Sequence, residues 1–160
     1  MKQALAIALL LTVAACGYTA GMGLQREGIR TVGIQVATNE TFRQRMEIPL
    51  TTQLYAQLPI HTGLIVASPD SADAVLSIDI QSVAGRSLAQ GGADPVREGA
   101  LLFSVHAVLR DRVTGTILRD EMVLDRAEFR SPVGETEDSA LREAASDLAR
   151  KIALALEPDF

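Results

Sequence analysis

Residues 101–109 read LLFSVHAVL, and the apolar positions fall on every second residue. Leu101, Phe103, Val105, Ala107 and Leu109 take one side, while Ser104, His106 and, one residue on, Arg110 take the other. Successive side chains of a β-strand point to opposite faces, so this stretch demands a strand with one face on a core and one on something wetter. A sheet with a single apolar face must be covered by a second layer. Two segments have the spacing to supply it. Met46, Leu50, Leu54 and Leu58 recur every fourth residue, which places them on one helical face. Leu141, Ala145, Leu148, Ile152 and Ala155 do the same within residues 135–156, with Glu135, Glu137 and Asp138 at the start and Arg150 and Lys151 towards the end, as the helix dipole favours.

The remaining strands follow from the same alternation. Residues 29–37 (IRTVGIQVA) put Val32, Ile34 and Val36 on one face. Residues 64–67 form a short apolar strand closed by Ser68-Pro69-Asp70-Ser71. Residues 74–83 turn Leu76, Ile78 and Ile80 inward and Ser77, Asp79 and Gln81 outward. Residues 116–130 are fairly polar on both faces, which suits an edge strand or one that projects past the core. Residues 111–115 (DRVTG) make a turn, and residues 85–95 (GRSLAQGGADP) read as a long Gly-rich loop. Thr38-Asn39-Glu40-Thr41 carries turn and helix-cap chemistry. Pro49 fits only a first turn, so the first helix is expected to begin near Glu47 and to stop before Pro59. Pro158 ends the second. The expectation is an α+β two-layer sandwich: a mixed, mostly antiparallel sheet of about four to five strands covered by two helices, forming a single domain over residues 29–160.

The N-terminus has a different character. Lys2 precedes an apolar run at residues 4–13, followed by Ala14, Ala15 and Cys16, the chain's one cysteine. About ten residues are too few to span a bilayer of ~30 Å. A single cysteine makes no internal disulfide and no four-ligand zinc site. The ending Val13-Ala14-Ala15-Cys16 resembles a bacterial lipobox, in which the peptide before the cysteine is removed and its thiol is lipidated. An ordinary secretory signal cut near Cys16, leaving a free thiol, is the alternative. On the first reading residues 1–15 are a signal peptide and residues 16–28, rich in Gly, a lipidated tether partly laid against the domain. Gly17 in place of an aspartate resembles lipoproteins sorted to the outer membrane.

The formal net charge of −5 argues against a nucleic-acid partner, which calls for a basic stripe. No signature of a hydrolase elbow, P-loop, dinucleotide fold or metal-binding helix is present. His61 reads as a surface residue of the connection after the first helix, and His106 as an exposed or partly covered strand residue. The expectation is therefore no enzyme, no cofactor and no metal. Arg86, Arg97, Arg110, Arg112, Arg126 and Arg130 punctuate the strand ends and loops. Their planar forks suit phosphate or carboxylate, or they simply keep polar faces soluble.

Cys16-Gly17-Tyr18, the following strand and residues 39–54 (NETFRQRMEIPLTTQL) together resemble the lipopolysaccharide-assembly lipoproteins, LptE. Residues 71–80 (SADAVLSIDI), 109–118 (LRDRVTGTIL) and 142–156 (REAASDLARKIALAL) continue the likeness in order. The resemblance implies a lipoprotein on the periplasmic face of the cell outer membrane that plugs a large β-barrel, LptD, assists its assembly and helps deliver lipopolysaccharide to the cell surface. It implies no enzymatic activity. If lipopolysaccharide is contacted, Arg86, Arg97 and Arg130 are the expected phosphate partners, since they flank loops at one end of the sheet. The alternative is a non-catalytic periplasmic lipoprotein that regulates or assists a cell-wall enzyme or a transporter.

Overall fold

A computed structural model describes residues 23–42, 45–89 and 98–157. After a single helical turn, α1 (Gly23–Arg26), come β1 (Thr31–Ile34), β2 (Thr38–Asn39), α2 (Glu47–Thr62), β3 (Ile65–Ala67), β4 (Ala74–Ala89), β5 (Glu98–Asp111), β6 (Ile117–Arg130), a 3-10 turn at Ser131–Val133 and α3 (Glu137–Leu156). The sheet order is β3-β1-β4-β5-β6, with the two-residue β2 also on β4. β1 pairs in parallel with β3 and β4. β4, β5 and β6 form a long antiparallel meander. The architecture is the expected α+β sandwich, with six strands if β2 is counted and α1 beside the two long helices.

Both long helices lie on the same side of the sheet and meet each other there. All five alternating residues of β5 are buried beneath them, as are Leu76, Ile78 and Ile80 of β4. α2 contributes Leu50, Leu54 and Leu58 to this core, and α3 contributes Ala144, Ala145, Leu148 and Ile152. Leu141 and Ala155 sit at the margin of the α3 face instead of its centre. The many small residues on that face let the helix axis approach the sheet closely. Thr136 caps α3 reciprocally: its hydroxyl accepts from Ser139 N–H and its own N–H donates to Ser139 Oγ. β6 is an edge strand with Val123 and Ala127 as its buried inward residues.

Several local expectations are corrected. α2 passes through Pro59 to Thr62. Pro59 begins the last turn, where only its own N–H bond is forgone, and burial of Leu58 and Thr62 holds the turn in place. Gly63, at φ 67°, then closes the helix through its N–H to Pro59 O. His61 is therefore in the helix, its Nε2 3.1 Å from Gln57 Oε1, and not in the connection after it. Pro49 sits in the first turn as required, but the helix is capped by Met46 without a side-chain bond, so residues 38–41 do not cap it. Thr38 and Asn39 instead pair with Asp79 and Ile80, and Asn39 Oδ1 accepts from Thr41 N–H. The strand expected over residues 29–37 ends at Ile34. Ala37 N–H donates to the Thr51 hydroxyl of α2, and this kink turns Val36 outward. β4 runs through residues 85–89, expected as loop, because β5 pairs with them as far as Glu98, the ladder absorbing register shifts at Ile80/Ser82 and Ser87/Ala89. The rest of that expected loop lies outside the described residues.

Candidate functional site

With the helices on one face, the other face of the β4–β5–β6 meander has no helix over it among the described residues. Register places its side chains in rows. Near the middle, Asp79, His106 and Met122 lie side by side, with Ser77, Val108 and Asp120 in the next row. His106 Nε2 is 2.7 Å from Asp120 Oδ1. Gln35, Val36, Thr38 and Asp79 join His106 and Val108 around a small hollow of about 110 Å³. Further along, Leu102, Met122 and Leu124 form an exposed apolar patch on this face. Beyond it come the arginines.

Arg86 lies on β4 in the row Arg86–Ala100–Glu128, and Arg130 ends β6 opposite Glu98. The meander thus carries both to the same end and the same face of the sheet, on either side of β5. Arg86 sits inside a strand and not at a loop edge, because β4 is longer than expected. Arg97 lies outside the described residues, as does Cys16. Arg126, one of the six arginines named from the sequence but not among the three expected phosphate partners, stands in the row with Ala84 and Leu102, next inward from the Arg86 row. The period-two spacing of Arg126, Glu128 and Arg130 was the available signal. A hollow of about 430 Å³ runs beside this end, lined by Arg126, Ala127, Glu128, Arg130, Glu135 and Glu143.

The electrostatics of this end are balanced. Arg126 Nη2 is 2.6 Å from Glu128 Oε1, and Arg130 Nε is 3.9 Å from Glu98 Oε1. The Arg130 backbone N–H donates to Glu135 Oε2 at 2.8 Å. Arg86 has no ion pair among the described residues. An incoming phosphate would meet one open guanidinium and two already holding carboxylates. Exposed pairs of this kind are worth only about 0–1 kcal/mol each, so exchange onto a doubly charged phosphate is affordable. No group of three metal-ligating side chains occurs among the described residues.

The opposite end of the sheet holds two carboxylates that are satisfied internally. Asp73 Oδ2 accepts from the Thr31 hydroxyl at 2.8 Å and from the N–H groups of Thr31 and Arg30 at 2.9 and 3.0 Å. These bonds, the Thr31 hydroxyl foremost, hold the Asp73 carboxyl below the usual aspartate range. Asp111 is lowered in the same way by the Thr114 N–H and hydroxyl, with the Val113 N–H adding to them. Both carboxylates fix the local backbone as acceptors.

No curated protein matches the chain. Among solved structures, a hypothetical protein from Chlamydia trachomatis is similar at TM-score 0.55 and 12% identity, covering 78% of this chain and 93% of that one. PelC from Paraburkholderia phytofirmans, solved as a dodecamer, gives 0.55 and 16% over 80% and 89%. A putative lipoprotein from Caulobacter crescentus gives 0.51 and 20% over 77% and 86%. At these identities the likeness establishes the fold alone. The LptE family model, described as lipopolysaccharide-assembly, matches residues 29–156, from just before β1 to the end of α3, and the chain belongs to that family.

Proposed function

We propose that the protein is a non-enzymatic outer-membrane lipoprotein that plugs a large LptD-like β-barrel, assists its assembly and helps pass lipopolysaccharide to the cell surface. The observation that carries this reading is the family match across the whole two-layer domain. On this reading residues 1–15 are removed, Cys16 is acylated and inserted in the periplasmic leaflet, and residues 29–160 form the working domain. Firm anchoring needs more than one acyl chain, and a lipidated N-terminal cysteine supplies them.

The geometry fits a plug. β6 alone spans about 40 Å, taking ~3.3 Å per residue from Ile117 to Arg130, and so outreaches a hydrocarbon core of ~30 Å. The sheet face opposite α2 and α3 mixes Ser104, His106 and Asp120 with Leu102, Met122 and Leu124, which suits the wet, polar interior of a barrel better than a dry interface. The arginine end lies at the far end of this axis from α1. Arg86, Arg97 and Arg130 are the proposed lipopolysaccharide phosphate partners, with Arg126 alongside. The test is affinity isolation of the acylated protein from outer membranes, together with depletion. Co-isolation of a large β-barrel and a fall in surface lipopolysaccharide are expected. Recovery of a soluble or inner-membrane partner with normal surface lipopolysaccharide would support the auxiliary-subunit reading instead.

A further inference from the structure

The chain enters the domain at one defined end. Gly23 N–H donates to Glu157 Oε2 at 2.7 Å, just past α3, and Gln25 Nε2 donates to Gly63 O at 2.8 Å, just past α2. β3 starts at the same end, where Ile65 N–H donates to Arg30 O. The β5–β6 turn lies there too, tied back by Arg112 N–H to Asp73 O. Three branched aliphatic side chains stand out from this end: Ile60 is 72% exposed, Ile65 66% and Val113 77%. They come from three elements. Ile65 lies on one edge strand and Val113 beside the other, so at ~4.8 Å per strand the set spreads across about 15–19 Å. Residues 48–69, which include Ile60 and Ile65, contain no Asp, Glu, Lys or Arg. Between the corners, the Asp73 and Asp111 carboxylates, which stay open to solvent, accept from the N–H groups of residues 30–31 and 113–114.

The connection to Cys16 says what meets this end. Seven residue steps separate Cys16 from Gly23, and whatever their shape they reach at most about 25 Å. With Cys16 acylated, the α1 end is kept at the phospholipid surface at high effective concentration. Exposed aliphatic side chains held there favour the boundary between headgroups and acyl chains. We infer that Ile60, Ile65 and Val113 form a membrane-resting face, on which the lipoprotein stands end-on upon a phospholipid leaflet while it is free of its barrel, with Arg86 and Arg130 directed away. The inference rests on acylation of Cys16 and not on the identity of the barrel.

The chain has no tryptophan, so one introduced at a chosen site is a clean reporter. The acylated full chain carrying Ile60→Trp, Ile65→Trp, Val113→Trp or, at the far end of β4, Leu88→Trp is reconstituted into phosphatidylethanolamine–phosphatidylglycerol vesicles with brominated or ordinary acyl chains. A residue seated ~5–10 Å into the interface should lose about half of its emission to the bromines. That loss is expected at positions 60, 65 and 113, with none at 88. Unquenched tryptophans on a protein that still floats with the vesicles would overturn the resting face while leaving the anchor intact. Equal quenching at position 88 would overturn the end-on stance. A wild-type protein that fails to float, or floats equally well as Cys16→Ala, would remove the anchor itself and the inference with it.

Discussion

Gly33 is the position where a single methyl group should cost most for its size. It lies in β1, and a Cβ built there would stand 2.4 Å from Pro69 Cα and 2.8 Å from Pro69 N. Carbon atoms in contact prefer ~3.5–4.0 Å, so the Ser68-Pro69 turn or β1 itself must move by about 1 Å. Neither moves freely. Ala72 N–H and Ser71 N–H both donate to Ser68 O, and β1 is paired on both sides. Overpacking costs ~1–3 kcal/mol, and a clash with fixed backbone belongs at the upper end. The stiffer unfolded chain of an alanine returns about 0.5 kcal/mol. Gly33→Ala should therefore destabilise by about 2 kcal/mol, a melting-point drop of about 4–8 °C for a domain of this size. Gly99→Ala is the control. Its Cβ would meet the ring end of Phe129 at 2.5 Å, and a half-buried ring at the sheet edge can swing aside, so its loss should be clearly smaller. Circular dichroism melts of the chain from Gly17 onward measure both. A Gly33→Ala protein within 0.5 °C of wild type, or Gly99→Ala the worse of the two, would refute the reasoning.

Other consequences are equally direct. Lys151 Nζ lies 2.6 Å from Asp125, whose side chain is only 6% exposed, and also donates to Leu124 O; Lys151→Ala should cost about 2–3 kcal/mol in urea unfolding, whereas Arg150→Ala, losing an exposed pair with Asp147, should cost under about 0.5. Asp73 has its carboxyl pKa lowered in the folded state, so its stabilisation is complete above the unfolded value of about 4 and is lost as pH falls through the lower folded value. The stability gap between wild type and Asp73→Asn should accordingly be constant from pH 7 to 5 and close only below about pH 4 in acid-unfolding curves. Combined reversal of Arg86, Arg126 and Arg130 to glutamate should weaken lipopolysaccharide binding in a salt-dependent manner while leaving the melting point nearly unchanged; unaltered binding would remove the arginine end from the lipid path. Replacing His61 and His106 together by glutamine should leave surface lipopolysaccharide intact, and a loss with normal folding would speak for a hydrolase.

What could be read from the chain alone follows from periodicity. The β5 alternation and the α3 stripe are long enough for period to decide element, face and layer without any tertiary information. The misplacements sit where a local signal competes with a long-range one. Gly85 and Arg86 look like loop residues, yet they are strand because β5 pairs with them across the hairpin. Val36 continues the apolar alternation, yet it faces outward because a hydrogen bond from Ala37 to Thr51 bends the chain. Pro59 reads as a stop, but packing of Leu58 and Thr62 carries the helix past it. For the candidate site, the sequence holds the arginines and, at period two on one strand, the Arg126–Glu128 pair. Glu98 reaches Arg130 only through the register of β5 against β6. That pairing makes the end balanced in charge, a property no count of arginines reveals.

The central claim is that this domain works against a large outer-membrane β-barrel. Leu88, exposed at the far end of β4, is the place to ask. A photo-crosslinking amino acid at position 88, activated in intact cells, should yield an adduct whose other half is a large outer-membrane β-barrel, and the adduct should disappear when the barrel is depleted. An adduct with a soluble periplasmic enzyme or an inner-membrane transporter, made by a folded and membrane-bound protein, would contradict the account.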